Sequence, residues 1–249
     1  MAKRECYAVW QGIVAYDRAL DLQMQICELK KRGFDRDLLL LLEHPPTITL
    51  GRNANSSHLL ICEEELRARG IGLYKVDRGG DVTFHGPGQL VGYPILSLQP
   101  NERDVRQYMG NLEESLIRLL DGYGIKGERD RCFPGVWTER GKIAALGVHL
   151  SRWITRHGFA LNVNTDLSYF DLIVPCGIVG RAVTSMQAIL SHTLDVCEVA
   201  ERYINEFGRV FNRKMVMLSE PVLLTEISAY LRHAQEISGS KDSMLMGQK

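Results

Sequence analysis

Apolar residues recur every three or four positions in three long stretches of the chain, which is the spacing of one helix face. The stretch over residues 19–29 stops at Gly33, and the stretch over residues 105–119 stops at Gly122. The third covers residues 195–211. Because a glycine just after a periodic stretch is a typical end of a helix, the pattern predicts three amphipathic helices, with the longest near the middle of the chain.

Short apolar runs bounded by turn residues predict the strands. A continuous apolar run favours a strand that is buried on both faces. The loop Glu139, Arg140 and Gly141 separates two such runs and indicates a hairpin. The predicted strands cover residues 38–42, 47–50, 71–77, 135–138, 142–148 and 154–163. Two further helices are predicted over residues 63–69 and 221–234.

This order of elements predicts an α+β fold, in which a mixed sheet is flanked by helices. The chain has no internal repeat and no low-complexity linker. We therefore expect one domain over residues 1–237, with a C-terminal helical segment at about residues 195–236. Residues 238–249 are expected to form a disordered tail.

Charge and composition narrow the classes of partner. The 249 residues carry 30 Lys and Arg against 30 Asp and Glu, so nucleic acid is not the expected partner, although a local basic patch could bind an acidic protein. The N-terminus lacks the apolar core of a signal peptide, and no run reaches the ~20 apolar residues of a membrane span. We expect a cytoplasmic protein with reduced thiols and no membrane partner.

The cysteines are scattered singly, and neither a CxxC pair nor an HExxH motif is present, which disfavours a zinc site or a dithiol redox centre. Most lie in or beside predicted helices and strands, where cysteine usually acts as a small buried hydrophobe. Cys176 differs, because Pro175 and Gly177 flank it and leave room for a substrate beside the sulfur. A free thiol in a simple turn is the alternative. The six cysteines are Cys6, Cys27, Cys62, Cys132, Cys176 and Cys197.

A nucleophilic cysteine needs a nearby base or cation, since a thiol is only partly ionised at neutral pH. Lys142 opens an apolar strand and could serve as a base if its stem enters the sheet. Its residue pattern alone favours a solvated hairpin lysine instead. The histidine candidates are His44, His85 and His149.

Residues 78–89, the glycine-rich segment, contain four glycines, a proline and a histidine in twelve positions. Glycines let a ligand or another chain approach the backbone closely, so the segment predicts a binding loop between strands. A mobile surface turn is the alternative. The polar residues Arg78, Thr83, His85 and Gln89 favour the binding loop, because a simple turn has no use for them.

Several motifs together resemble the lipoyl(octanoyl) transferases, a family related in fold to lipoate and biotin protein ligases. They follow the order of the family and span most of residues 40 to 190. The resemblance implies a largely antiparallel sheet of the ligase type. The matching motifs lie at residues 43–46, 49–52, 78–89 with Tyr93, 141–148, 157–162 and 166–177.

By this resemblance Cys176 is the acyl-thioester nucleophile, and Lys142 lowers its pKa and relays protons. The resemblance thus reverses the interpretation of Lys142 from its residue pattern. No metal ligand and no cofactor are implied. The implied substrate-binding residues are Arg78, Gly79, Gly80, Asp81, Val82, Thr83, Phe84, His85, Ala145, Leu146, Gly147, Gly158, Phe159 and Ala160.

The implied reaction moves an octanoyl group from the phosphopantetheine thioester of acyl carrier protein to a lysine of a lipoyl domain. The expected acceptors are the lipoyl domains of 2-oxoacid dehydrogenase complexes and the glycine cleavage H protein. We expect the enzyme to act as a monomer. Splitting the transfer into two steps through a cysteine thioester is covalent catalysis.

Three other functions stay open. An ATP-dependent lipoate or biotin ligase shares the fold, but such ligases resemble RRxSGGGxVxHD where this chain has RGGDVTFHGPGQ. A cysteine hydrolase would pair Cys176 with His85 or His149 and use water as the acceptor. A noncatalytic acyl or lipoyl-domain binding protein would use the glycine-rich segment only for docking.

Overall fold

An eight-stranded mixed sheet forms the centre of the protein, in a computed structural model that describes residues 3–174 and 181–231. Its strand order is β11-β1-β2-β6-β10-β9-β8-β7, and every neighbouring pair from β2 to β7 is antiparallel. A second sheet has the order β4-β3-β5. The strands are β1 Arg4–Ile13, β2 Asp37–Glu43, β3 Thr47–Leu50, β4 Gly72–Lys75, β5 Val82–His85, β6 Gln89–Ile95, β7 Glu128–Arg129, β8 Gly135–Thr138, β9 Gly141–Ser151, β10 Ile154–Asn162 and β11 Arg213–Met217.

Helices cover both faces of the large sheet, which confirms the predicted fold class. The amphipathic stretches form α1, α3 and α5, and the Asp195 side chain caps α5 by accepting a hydrogen bond from the Cys197 N–H. The helices are α1 Tyr16–Lys31, α2 Glu63–Ala68, α3 Val105–Asp121, α4 Met186–Leu190 and α5 Val196–Val210. Residues 220–231 are also helical. No helix among residues 3–174 and 181–231 is long and apolar enough to cross a membrane.

The leucine run of β2 is apolar throughout because it faces a core on each side of the sheet. Leu39 and Leu41 belong to the core under α3 and α5, which also contains Leu116 and Phe207. Leu38, Leu40 and Leu42 belong to the core under α1 and residues 220–231. Alternating residues of a strand point to opposite faces, so a continuous apolar run satisfies both layers.

The prediction of one loop over the whole glycine-rich segment is wrong. Residues Val82–His85 form β5, which pairs antiparallel with β3 and is buried throughout. Val82 and Phe84 enter the core of the small sheet, where a strand can bury its apolar side chains. The glycines lie before and after β5, so the segment is a strand between two turns.

The predicted C-terminal helical segment at about 195–236 is interrupted by a strand. β11 follows α5 and pairs parallel with β1 at the edge of the large sheet. Arg213 at its start is buried and donates a 2.9 Å hydrogen bond to the Asp37 carboxylate, which ties this strand to β2. Sequence analysis also missed β1. The proposed end of the domain at residue 237 and the tail 238–249 lie outside the described residues.

Candidate active site

A cavity lies between the glycine-rich segment and the hairpin formed by β9 and β10. It contains about 470 Å³ of space free of atoms, part of which is open solvent. Twelve of the predicted substrate-binding residues line it, so the fold brings together residues that are far apart in sequence. The full lining is Tyr16, Arg78, Gly80, Asp81, Val82, Thr83, His85, Tyr93, Ala145, Leu146, Gly147, His157, Gly158, Phe159 and Ala160.

Two of the predicted substrate-binding residues, Gly79 and Phe84, are not part of this lining. Phe84 is 1% exposed, and its ring stacks on Tyr169 with 4.5 Å between the ring centroids. The backbone N–H of Gly79 donates to the Val148 carbonyl at 2.9 Å. Gly79 therefore fastens the glycine-rich segment to β9, and Phe84 stabilises the small sheet behind the cavity wall.

Glycines keep the cavity walls close together. A Cβ atom on Gly147 would lie 2.9 Å from the carbonyl oxygen of Gly79. A Cβ atom on Gly158 would lie 2.2 Å from the carbonyl oxygen of Gly92. Atoms that are not bonded cannot approach so closely, so larger residues at either position would force the backbones of neighbouring segments apart.

A second cavity adjoins the first and contains Lys142 in its lining. It has about 310 Å³ of space free of atoms, part of it open solvent. Thr83, Ala145 and Ala160 line both cavities and therefore mark where they meet. The other lining residues of the second cavity are Gln89, Lys142, Ala144, Asn162, Phe170 and Val183.

The backbone of Lys142 pairs with residues 182–184, which follow Cys176 in sequence. Its N–H donates to the Ala182 carbonyl at 2.9 Å, and its carbonyl accepts from the Thr184 N–H at 2.9 Å. The residue is 6% exposed, and its Nζ lies 5.3 Å from the centroid of the Trp137 ring. Lys142 is thus a buried lysine at the second cavity and not a solvated hairpin residue.

Cys176 lies outside the described residues, together with its neighbours from 175 to 180. The chain is described up to Val174, whose N–H donates to the His58 carbonyl at 2.8 Å. It is described again from Arg181, just before the Ala182 carbonyl that pairs with Lys142.

A chain of buried polar side chains connects the two cavities. Arg78 donates to Thr49 Oγ1 through Nη2 at 2.9 Å, and Thr49 Oγ1 lies 3.4 Å from His85 Nε2. His85 Nδ1 lies 2.9 Å from Gln89 Oε1, which can only accept. His85 therefore carries its proton on Nδ1, and Nε2 is left to accept from the Thr49 hydroxyl.

The same chain continues beyond Gln89. Gln89 Nε2 donates to Asn162 Oδ1 at 3.0 Å, and Asn162 Nδ2 donates to the Thr184 carbonyl at 3.0 Å. The Thr184 N–H in turn donates to the Lys142 carbonyl. Every donor along this path has at least one acceptor, so the network fixes the walls of both cavities relative to each other.

Burial favours the neutral form of His44 and His85. Burial, aided by the nearby His44 and Arg78, lowers the pKa of His85 well below its ordinary value. Burial also lowers the pKa of His44 to about 4. Both ring nitrogens of His44 and of His85 are within hydrogen-bond distance of polar groups, so these rings position the cavity wall. His149 lies against Asp77 and is absent from the lining of both cavities.

Sequence analysis did not assign Tyr16, Tyr93 or His157 to the site. Tyr93 and His157 lie within motifs that match the family, and those motifs could have pointed to both residues. Tyr93 donates its hydroxyl hydrogen to His44 Nε2 at 2.7 Å, because His44 uses Nδ1–H on the Val14 carbonyl. His157 Nε2 lies 2.9 Å from Asp77 Oδ1. Tyr16 begins α1, and nothing in the local sequence distinguishes it from a core tyrosine.

Comparison with known proteins gives the family. The model of the lipoyl protein ligase A/B catalytic domain matches residues 15–208. The chain belongs to this family. Among its curated relatives, the octanoyltransferase of Solibacter usitatus is 50% identical over 86% of this chain and 96% of its own length. The octanoyltransferase of Chloroflexus aurantiacus is 53% identical over 80% of this chain and 91% of its own length. These findings confirm the resemblance seen in the sequence.

A solved structure agrees on the fold. A bipartite lipoate protein ligase from Thermoplasma acidophilum, studied with its E2 lipoyl domain, aligns with a TM-score of 0.69 at 13% identity. The alignment covers 92% of this chain and 91% of that chain. Within residues 3–174 and 181–231 of the present chain, no group of three or more His, Cys, Asp and Glu side chains is arranged to hold a metal ion.

Proposed function

We propose that this protein transfers an octanoyl group from octanoyl-acyl carrier protein to a lipoyl-domain lysine, through a thioester on Cys176. Octanoyl transfer in protein lipoylation follows from the octanoyltransferases that are 50% and 53% identical over most of the chain. The observation that carries the rest is the pair of adjoining cavities, in which the predicted acyl-binding residues lie next to Lys142. The donor, the nucleophile and the role of Lys142 belong to the proposal.

The first step forms the enzyme thioester. The Cys176 thiolate attacks the carbonyl carbon of the donor thioester, a new C–S bond forms, and the C–S bond to phosphopantetheine breaks. The departing sulfur takes a proton from the Lys142 ammonium and leaves as a thiol. A cation next to the sulfur also favours the thiolate of Cys176 before the attack.

The second step forms the amide. The lysine amine of the lipoyl domain attacks the octanoyl carbonyl, a C–N bond forms, and the C–S bond to Cys176 breaks. Lys142, left neutral by the first step, takes the proton that the attacking amine loses. Cys176 and Lys142 thus return to thiolate and ammonium, and no external acid, base or reductant is consumed. A thioester has a higher free energy of hydrolysis than the amide that replaces it, so amide formation is favourable and no ATP is needed.

The first cavity suits an unbranched acyl chain. Its apolar lining includes Val82, Leu146, Phe159 and Ala160, and the glycines at 147 and 158 leave the backbone close to the bound chain. Each methylene that leaves water contributes roughly 0.8 kcal/mol to binding. We propose that the acyl chain occupies this cavity while its carbonyl lies towards Lys142.

The partners and the absence of a cofactor are part of the proposal. The proposed acceptors are lipoyl domains of 2-oxoacid dehydrogenase complexes and the glycine cleavage H protein, and a Thermoplasma acidophilum relative in fold was studied with an E2 lipoyl domain. We propose that the enzyme acts as a monomer without a cofactor of its own, since the donor brings phosphopantetheine. The cytoplasmic location stays a prediction.

The test is the intact mass of the protein after incubation with octanoyl-acyl carrier protein in nucleotide-free buffer with excess chelator. The proposal expects one octanoyl mass on the enzyme, lost when a lipoyl domain is added and absent in Cys176→Ala. Cys197→Ala removes a partly exposed cysteine in α5 and serves as the matched control, which should acylate normally.

Other outcomes favour the rival functions. Transfer that requires ATP, magnesium and free octanoate would replace the proposal with a ligase. Release of free octanoate without an acceptor would favour a hydrolase. Binding of octanoyl-acyl carrier protein without any adduct or transfer would favour a noncatalytic binding protein.

A further inference from the structure

Residues 51–60, the bridging segment, connect the wall of the acyl cavity to the chain that leads to Cys176. The first half of the segment pairs with the glycine-rich segment. The N–H groups of Gly51, Arg52 and Asn53 donate to the carbonyls of Asp81, Arg78 and Gly80, at 3.1, 3.0 and 3.1 Å. Gly51 permits this contact, because a Cβ atom there would lie 2.4 Å from the Gly80 oxygen.

The second half of the bridging segment pairs with residues 172–174. The Leu60 N–H donates to the Leu172 carbonyl at 2.9 Å, and the Val174 N–H donates to the His58 carbonyl at 2.8 Å. Leu59 and Ile173 form an antiparallel bridge between these two bonds. The bridging segment therefore contacts the cavity wall at one end and the residues just before Pro175 at the other.

The His58 side chain connects the second half of the bridging segment directly to the cavity wall. Its Nδ1 is hydrogen-bonded to Asp81 Oδ2, and Asp81 lines the acyl cavity. The other carboxylate oxygen of Asp81 accepts from the N–H groups of Val82 at 2.8 Å and Asn55 at 3.2 Å. Since a carboxylate only accepts, His58 Nδ1 is the donor whether the imidazole is neutral or protonated.

The turn at Ser56–His58 does not need this bond to form. The His58 N–H donates to the Asn55 carbonyl at 2.9 Å, and the Ser57 N–H donates to Asn55 Oδ1 at 3.0 Å. These two bonds close the turn without the imidazole. The His58 side chain is 25% exposed, so it is partly buried beside Asp81.

We infer that His58 is a positioning residue for acyl transfer, which couples the acyl cavity to the chain before Cys176 through Asp81. Through its side chain His58 fixes the Asp81 carboxylate, and through its carbonyl it fixes Val174, two residues before the proposed nucleophile. The inference rests on the proposed thioester at Cys176. A residue that acts this way changes the rate of acylation more than the stability of the fold.

Three substitutions of His58 separate this role from a purely structural one. His58→Ala removes the donor. His58→Asn retains a donor, because the Asn Nδ2 lies close to the position of Nδ1, whereas His58→Gln places its amide nearer to that of Nε2. Asn55→Ala is the matched control, because it removes a side-chain bond of the same turn and leaves the His58 imidazole in place.

The measurement is the single-turnover rate of octanoyl-adduct formation, with the thermal midpoint of each variant recorded alongside. We expect His58→Ala and His58→Gln to slow acylation by roughly 10- to 10²-fold, the scale expected when a reacting group is displaced by up to ~1 Å. His58→Asn should recover most of the rate. Asn55→Ala should lower the thermal midpoint at least as much as His58→Ala and slow acylation by less than about threefold.

A double-mutant cycle tests the link to Asp81. If His58 acts through Asp81, then His58→Ala should slow acylation by less than about twofold in an Asp81→Ala background. The inference would be overturned if His58→Ala slowed acylation equally in the wild-type and Asp81→Ala backgrounds. It would also be overturned if His58→Ala alone acylated at the wild-type rate. Failure of the wild-type enzyme to form any adduct at Cys176 would instead overturn the proposed function, so the two failures are distinguishable.

Discussion

Gly135 provides the space that the Lys142 side chain occupies. A Cβ atom on Gly135 would lie 2.6 Å from Cε of Lys142 and 2.5 Å from the Ala144 carbonyl oxygen. Gly135 also has φ +133°, a conformation that residues with a Cβ rarely adopt. Lys142 therefore lies on β9, and Gly135 on the neighbouring β8 leaves space for its side chain.

We therefore predict that Gly135→Ala lowers activity by displacing Lys142. The new methyl group meets both the lysine stem and a backbone oxygen, so relief requires movement of β8 against β9. We expect at least a 10-fold lower rate of octanoyl transfer and a loss of stability of about 1–3 kcal/mol. The measurements are the transfer rate and urea unfolding.

The matched control is Gly110→Ala. Gly110 lies inside α3, and apart from the backbone of that helix no heavy atom lies within 4 Å of a Cβ atom added there. An alanine in a helix interior stabilises by roughly 0.5–1 kcal/mol relative to glycine. Normal activity in Gly135→Ala would show that the placement of Lys142 tolerates the extra methyl group and would contradict the prediction.

Lys142→Ala should slow the reaction far more than it destabilises the protein. We expect transfer to fall by roughly 10²–10⁴-fold, as is usual when a positioned general acid or base is lost. The fold should persist, because the two backbone bonds of Lys142 to Ala182 and Thr184 do not involve its side chain. Circular dichroism and the thermal midpoint check the fold.

The coupling of Lys142 to the thiol is tested separately, by the rate of alkylation of Cys176 at different pH values. Removal of a neighbouring cation should shift this pH profile to higher pH. An unchanged profile in Lys142→Ala would mean that the lysine does not favour the thiolate, whatever its effect on transfer.

Several elements could be predicted from the sequence because their signals are local. The periodicity that ends at Gly33 and Gly122 gave α1 and α3, and the leucine run gave β2. β11 was missed because it is short, partly polar and defined by pairing with β1, which lies about two hundred residues away in sequence. β5 was missed because the glycines on both sides of it made residues 82–85 resemble part of a loop, although all four are buried.

In the candidate site too, the features with a local sequence signal could be predicted and those that depend on tertiary contacts could not. Motifs identified the two cavity walls, since the glycines and alanines of residues 78–89 and 141–148 are grouped in sequence. Tyr16 reaches the cavity only through the packing of α1 against the sheet, and no local pattern reports that. The buried state of Lys142 likewise depends on Gly135 and on the pairing with Ala182, which are tertiary contacts.

Ala145→Leu should shorten the acyl chain that the enzyme accepts. Ala145 lines both cavities, is partly exposed, and pairs with Ala160 across β9 and β10. A leucine at this point would reduce the space that an acyl chain can occupy in the first cavity. An octanoyl chain has four more methylenes to bury than a butanoyl chain, at roughly 0.8 kcal/mol each, so we expect the kcat/KM for octanoyl donors to fall at least ~10-fold and that for butanoyl donors to change by less than about threefold.

The comparison of donors contains its own control, because a general loss of folding would reduce transfer of both chains equally. An equal reduction in a variant whose thermal midpoint is unchanged would contradict the proposal that the acyl chain passes Ala145. Retained octanoyl transfer would indicate that the chain follows another path through the protein.

The last prediction concerns stability below neutral pH. His44 is fully buried, and burial lowers its pKa from the ordinary 6.5 to about 4. The unfolded chain therefore binds a proton at His44 in a range where the folded protein does not, so the stability that depends on the neutral ring is lost as pH falls from 6.5 towards 4. Burial lowers the pKa values of His85 and His157 in the same direction.

The size of the effect follows from the pKa difference. A single histidine with these two values loses about 2 kcal/mol of unfolding free energy between pH 7 and pH 5. This interval lies above the range in which Asp77 contributes, because its pKa is lowered from 3.8 to about 2 by the hydrogen bond from His157 and by nearby cations. Urea unfolding at pH 7, 6 and 5 measures the loss.

His44→Asn identifies the contribution of this ring. The Asn amide can donate to the Val14 carbonyl as Nδ1 does, but it does not titrate. The variant should be less stable at pH 7, because Tyr93 loses its acceptor at His44 Nε2. Its unfolding free energy should nevertheless fall by about 2 kcal/mol less than that of the wild type between pH 7 and pH 5. Parallel pH curves for the two proteins would mean that His44 titrates alike in the folded and unfolded chains, contrary to its burial.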